Sequence, residues 1–393
     1  MEKIKKYLLF AFIIENVAAQ TSIFGGLTNM FFYLFLGLGV MLIFTSNIRT
    51  QGAGNTFWWA YALGAIYLVY EFVVMPETIS ERSLLYVLAK IITMIIIIVC
   101  VSSNFTFYYK RMLYPLALLL CFFILYGLVT GQGMNSNVAG ERLSLGYANE
   151  NTTSWMGAMA AGLLLYSGKS WGWKEFVFLG IAFYGVLAGG SRAGLLLLLI
   201  ILIARYGFTK KVVISILAGY IVAVFLLPAI GLNTVGIERV QDTITGIETS
   251  NRSDEREAAE MMINKKPWTG WGFEAKNEGQ AKLISELGSH SGYLETFKFM
   301  GYPLGGLWLC IVIGSIIGIL VWHYKNKVAL SFFEAYLIAL PVCAFYEDVF
   351  TGVHEIETNF FYISLGISSF KVACMRCGEL PLVEDSIDSE VIV

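Results

Sequence analysis

Two arginines four residues apart, one arginine upstream, and a histidine and a glutamate downstream are the side chains of this chain best suited to chemistry. Arg252 and Arg256 stand in "NRSDEREAAEMMINKKPWTGWGFEA", residues 251–275. His290 and Glu295 stand in "HSGYLETFKFMGYPLGG", and Arg192 in "GGSRAGLLLLLIILIARY". A guanidinium offers a planar fork of donors that grips two phosphate oxygens at once. A histidine titrates near neutral pH and can take a proton from a hydroxyl. Positive neighbours favour its neutral form, so His290 near the arginines is expected to be a general base. Each residue also has an ordinary reading. Arg192 can snorkel to headgroups. Arg252 and Arg256 can sit on a solvated helix, paired with Asp254, Glu255, Glu257 or Glu260. An interfacial histidine can be structural.

The rest of the chain is of a different character. It has 393 residues, 57% hydrophobic and 14% charged, with a mean hydropathy of +0.67. Soluble domains are nearer half apolar and a quarter charged. Here the apolar residues form runs long enough to cross a bilayer, so the chain reads as an all-α integral membrane protein lying in a lipid bilayer. A net charge of −2 gives no general attraction to nucleic acid. Of the six cysteines, four lie in apolar runs, and Cys374 and Cys377 form one CxxC without the further ligands that a zinc site needs. No metal site is expected. Gly-rich phosphate loops, HExxH and GxSxG motifs are absent from the sequence. The start, "MEKIKKYLLFAFIIENVAAQ", has the lysines and short apolar core of a signal peptide, but Glu15 interrupts it and a retained first span is expected.

About 12 spans are expected. Their centres fall near Phe12, Leu38, Ile66, Thr93, Leu120, Ala160, Phe183, Leu198, Ala218, Ile313, Ala339 and Leu365. Lysines and arginines gather in alternate loops, at Lys3, Lys5 and Lys6, at Arg49, Lys110 and Arg111, at Lys169 and Lys174, at Arg205, Lys210 and Lys211, at Lys325 and Lys327, and at Lys371 and Arg376. The positive-inside bias puts these loops and both termini in the cytoplasm. Residues 1–393 then form one polytopic membrane domain, and residues 232–290, between the ninth and tenth spans, form one large helical extracytoplasmic loop. Arg192, the segment "GERLSLGYANENTTS" and "YEDVFTGVHEIE" share the outer side. Within the loop, Ala258, Met261 and Met262 recur at helical spacing, which predicts a helix over Arg252–Asn264 that Ser250 or Asn251 caps and Pro267 ends. Arg252 and Arg256 share one face of it. His323 falls among lysines at the cytoplasmic end of the tenth span, and His354 falls in the last outer loop. Lys90 and Lys298 lie in or beside apolar segments, where a cavity-facing and a snorkelling side chain are both open.

Three of these stretches together resemble the bacterial O-antigen ligase and O-antigen polymerase superfamily. "GGSRAGLLLLL" is like the family's Ser-Arg-Ala/Gly helix start. In "RSDEREAAEMMINKKPWTGWG", Arg252, Pro267, Gly270 and Gly272 fall on its pattern of Arg, then Pro, then Gly-x-Gly. In "HSGYLETFKFMGYPLGG", His290, Leu294, Glu295 and Gly301 match its His, Leu-Glu and Gly-rich span start. "GYANENTTS" is similar to the polar segment that opens an earlier span. The chain departs from the family's pattern at Arg256, where a Trp is frequent, and at Ser291, where an Asn is frequent.

The resemblance implies a membrane glycosyltransferase of the bacterial plasma membrane, inverting and metal-independent, with no cofactor. Its donor would be a glycan on undecaprenyl diphosphate at the outer leaflet. Arg192 and Arg252 would clamp the diphosphate and His290 would take the acceptor proton. Arg256 would add phosphate contact, and Glu295 would orient His290 or bind sugar hydroxyls. As a polymerase of O-antigen, capsule or exopolysaccharide the enzyme would extend a lipid-linked repeat unit. As a ligase it would transfer the glycan to lipid A-core or another acceptor. A chain-length regulator or a flippase would be a fitting partner. A transporter or flippase remains the competing class, since about a dozen spans suit it, although related halves are not evident.

Overall fold

A computed structural model describes residues 2–21, 24, 28–45, 56–131, 143–210, 214, 252–353 and 355–378. Among these residues the chain is helical and has no strand, only one isolated antiparallel bridge between Thr21 and Tyr147. The helices are α1 (Glu2–Ala19), α2 (Thr28–Thr45), α3 (Trp58–Val69), α4 (Glu81–Thr106), α5 (Leu113–Thr130), α6 (Glu150–Tyr166) and α7 (Trp173–Gly189). They continue with α8 (Arg192–Tyr206), α9 (Arg252–Lys265), α10 (Gln280–Ile284), α11 (Gly292–Asn326), α12 (Phe332–Cys343) and α13 (Ile356–Arg376). Every expected span centre except Ala218 falls inside one of these helices; Ala218 lies outside the described residues. Among the described residues, three helical stretches are long and apolar enough to cross a membrane: Glu81–Arg111, Leu113–Thr130 and Gly292–Asn326. Met30–Met41, Trp58–Val74 and Phe332–Cys343 are shorter apolar helices. Large apolar side chains such as Tyr61, Phe72, Phe122 and Val129 are exposed, as befits a surface that faces lipid rather than water.

The helices meet where the sequence supplies small residues. A Cβ on Gly157 would come within 2.6 Å of Ala182 O, and one on Gly189 within 2.5 Å of Glu150 O. One on Gly194 would come within 2.3 Å of Ser154 Oγ. Glycines there let α6, α7 and α8 approach nearly backbone to backbone, the usual way to pack helices without a hydrophobic driving force between them. Polar links tie distant helices. Asn359 Nδ2 donates to Asn16 Oδ1 at 2.6 Å, and Asn16 Nδ2 donates to Phe12 O at 2.8 Å, so α13 is fastened to α1 inside the core.

One helix is interrupted on purpose. Within α11, Gly301 has φ +68° and ψ 175°, which breaks the ladder between a first segment, residues 292–300, and the long helix that follows. Pro303, two residues on, lacks the N–H that would repair it. The break is what positions the loop described next.

Candidate functional site

The helix expected after Asn251 forms as the spacing predicts. It runs Arg252–Lys265 and buries Ala258, Ala259, Met262 and Ile263. Ser250 and Asn251, the expected caps, and residues 232–249 lie outside the described residues. Pro267 to Gly272 then fold back onto the break in α11. Trp271 N–H donates to Lys298 O at 3.0 Å and Gly272 N–H to Phe299 O at 3.1 Å. These carbonyls are among those that the break leaves without helical partners. In return Tyr302 N–H donates to Pro267 O at 2.7 Å. Gly270 has φ +69°, and a Cβ there would lie 2.3 Å from Phe299 O. Only glycine fits that approach. Tyr70 completes the joint, donating to Thr269 O at 2.8 Å while its oxygen accepts from Gly272 N–H at 3.0 Å. The Pro and Gly-x-Gly positions thus dock α9 on the start of α11.

Three chain segments converge on the end of α12, residues 343–347. The start of α11 is pinned there, because Gly292 N–H donates to Ala344 O at 2.9 Å and Glu347 O at 3.1 Å. From α9, Arg252 Nη1 donates to Tyr346 O at 3.0 Å, and Arg252 Nη2 to Glu347 Oε1 at 3.0 Å. Arg256 Nη2 donates to Phe345 O at 2.8 Å. The two arginines therefore share a face, as their spacing predicts. Neither is hydrogen-bonded to the four acids of its own helix among the described contacts. From α8, Ala193 O accepts from Cys343 Sγ at 3.4 Å, which sets Arg192 beside the same helix end. Arg192 Nε is buried and has no hydrogen-bond partner among the described residues.

His290 stands at the centre. Its Nδ1 is 3.3 Å from Glu347 Oε2, and its Nε2 is 3.9 Å from Glu255 Oε2. The side chain is 37% exposed while Glu255 is 6% exposed, so the imidazole is held by buried acid yet open to a ligand. Its φ is +47°, a left-handed conformation that costs non-glycine residues about 1–3 kcal/mol and is typical of functional turns.

The electrostatics differ from the expectation. The hydrogen bond to Glu347 raises the His290 pKa from its ordinary value; burial and Arg252 lower it, and the charges of Glu347 and Glu255 add to the rise. Two carboxylates outweigh the arginine that was expected to keep the ring neutral. Burial in turn raises the Glu255 pKa, against the pull of His290 and Arg252.

Of the two roles expected of Glu295, orienting His290 or binding sugar hydroxyls, its contacts bear on the first. It accepts from Ser289 N–H at 2.9 Å and pairs with Lys298 Nζ at 2.7 Å. It thus fixes the turn that carries His290 without touching the ring, and Glu347 is the carboxylate that orients the imidazole. Lys298 is a buried ion-pair partner, not a snorkelling side chain. Glu295 and Lys298 also line a cavity of about 500 Å³ under residues 275–288, with Lys276 and Lys282 at its rim. Lys90 is likewise buried; its Nζ donates to Gly352 O and lies 5.5 Å and 5.3 Å from the Tyr86 and Tyr362 rings. His323 belongs to a separate cluster at the other end of α12, its Nε2 3.6 Å from Glu334. His354 lies outside the described residues.

The comparisons with known proteins agree with the motifs. Residues 176–309 match the family model described as O-antigen ligase. That segment runs from α7 through Arg192, the loop helix and His290 into α11. The match supports the chain's place in the O-antigen ligase and polymerase superfamily, and with the apolar helices it supports a membrane location. No curated protein matches the chain.

Proposed function

We propose that the chain is a glycosyltransferase of the bacterial plasma membrane that moves a glycan from undecaprenyl diphosphate to a hydroxyl acceptor at the outer face. The observation that carries this reading is the convergence of Arg252, Arg256, Arg192 and a half-open His290 on the end of α12. Arg252 and Arg192 grip the donor diphosphate, whose charge grows as the glycosyl bond breaks. Arg256, already turned toward the same helix end, adds a third cation. To take phosphate, Arg252 releases the Glu347 carboxylate, which stays on His290 Nδ1. That hydrogen bond holds the tautomer with a free Nε2 and stabilises the imidazolium that forms when the acceptor hydroxyl gives up its proton. The raised pKa makes His290 a stronger base near neutral pH. One direct displacement of this kind inverts the anomeric centre, and its charge is met by guanidinium groups instead of a metal.

The acceptor we favour is a second lipid-linked repeat unit, which makes the enzyme a polymerase. The ligase reading is favoured by the description of the matching family. Deleting the gene separates them. A polymerase deletion leaves single repeat units on the carrier or final acceptor. Accumulation of full-length polymer on undecaprenyl diphosphate would establish the ligase instead.

A further inference from the structure

At the opposite end of α12 lies a second cavity, of about 350 Å³, that the proposed transfer does not use. Its walls are the turn Phe107–Arg111 after α4, the end of α6 at Tyr166, the end of α8 at Arg205, and residues 329–332 leading into α12. A helix of 12 residues is about 18 Å long, so this cavity is remote from His290. We propose that it binds the phosphate headgroup of an anionic phospholipid of the inner leaflet.

Three features of the cavity point to a phosphate. Lys110 and Arg205 both line it, and among the described residues neither has a carboxylate partner. The Arg205 guanidinium lies 4.9 Å over the Tyr166 ring, which holds its fork flat and leaves its N–H edge to a ligand. The Tyr166 hydroxyl is buried and has no hydrogen-bond partner among the described residues. A buried donor without a partner is costly, and a phosphate oxygen would satisfy it. The nearby carboxylate, Glu334, does not cancel the positive field. It is taken up by Ser331 N–H at 2.6 Å, Lys371 Nζ at 3.6 Å and His323 Nε2 at 3.6 Å. The N-terminal end of α12 adds the positive pole of its helix dipole.

The surroundings point to a lipid as the source of that phosphate. Trp171, Trp173, Phe176, Tyr206 and Phe208 are all exposed on the segments that flank Gly168 and Arg205. Tryptophan and tyrosine collect at headgroup level in membrane proteins. Lysines and arginines of this end carry the positive-inside signature, and anionic lipids enrich the cytoplasmic leaflet. A bound headgroup would clasp the ends of α4, α6, α8 and α12 together.

The test uses the full chain purified in detergent, with thermal unfolding and native mass spectrometry as readouts. Phosphatidylglycerol should bind and raise the unfolding temperature, and phosphatidylcholine should do neither. Lys110→Met and Arg205→Met should each weaken phosphatidylglycerol retention by about fivefold or more, and Arg205→Lys should fall between. Lys174→Met removes an exposed lysine of the same surface that does not line the cavity, and should change nothing. Equal retention of phosphatidylcholine, or an equal loss in Lys174→Met, would overturn the proposal by showing diffuse binding. Stabilisation by millimolar inorganic phosphate matching that by lipid would also overturn it, in favour of a free anion. Lipid-free samples of the variants should unfold at the wild-type temperature; if Arg205→Met does not, Arg205→Lys carries the comparison.

Discussion

The two ends of α12 carry the same residue types in opposite states. At one end Glu347 lies between Arg252 and His290, on a loop, with the histidine 37% exposed and in a left-handed turn. At the other end Glu334 lies between Lys371 and His323, inside the first turn of the helix, with histidine and glutamate 1% and 0% exposed. Glu334 is also the capping partner of Ser331. Glu347 is shared between two side chains that, in the proposed reaction, a diphosphate and a hydroxyl each claim. A histidine–glutamate–cation set is therefore a bolt when it is dry and part of a helix cap. It is a candidate reaction centre when its histidine is open and its cation can be withdrawn.

The largest effect that separates the ends is on folding. Glu334→Ala leaves the buried Lys371 ammonium without its carboxylate, and breaking a buried pair costs about 3–5 kcal/mol. The protein should fail to accumulate in membranes, as judged by immunoblot and by thermal unfolding of what remains. Normal stability would mean that the Glu334 cluster is no bolt. Arg252→Lys comes next. It keeps the charge and loses the fork, and should reduce glycan transfer by about 10²–10³-fold, the scale for losing one donor to a developing oxyanion, with accumulation unchanged. Wild-type laddering at matched expression would remove Arg252 from the phosphate grip. The smallest effect is on pH dependence. Glu347 raises the His290 pKa through its hydrogen bond and its charge, and the base works only above that pKa. Activity should therefore rise with pH along a limb set above the ordinary pKa of a free histidine. Glu347→Gln should move that limb to lower pH and lower the plateau. An unmoved limb would place the titrating group elsewhere.

The helix that carries the two arginines was legible in the sequence. The apolar spacing of Ala258, Met261 and Met262 predicts the helix that forms, and the four-residue spacing of Arg252 and Arg256 predicts their common face. The Pro and Gly-x-Gly positions mark a joint, but its partner, the break at Gly301, shows only as a glycine before a proline in an apolar run. Glu347 was not legible as the orienting acid. It lies 95 residues from Arg252 and 57 from His290, and no periodicity spans such a distance. Its one signal was the Glu-Asp pair in an otherwise apolar stretch. Glu295, expected either to orient His290 or to bind sugar hydroxyls, pairs instead with Lys298, three residues on and on the same helical face. The direction of the His290 shift is not legible either, because Glu347 is distant in sequence and nothing in the sequence shows that Glu255, between the two arginines, is the one of the four loop acids that faces the ring.

The most direct test of the account compares two histidines. His290→Ala and His323→Ala are expressed at matched levels in a strain lacking the gene, and surface glycan is resolved as a ladder. His290→Ala should reach the membrane, unfold at the wild-type temperature and show no visible ladder, as loss of a general base worth about 10²–10⁴-fold requires. His323→Ala should lose ladder only in proportion to lost protein. A normal ladder from His290→Ala, with the defect confined to His323→Ala, would contradict the assignment and move the chemistry to the other end of α12.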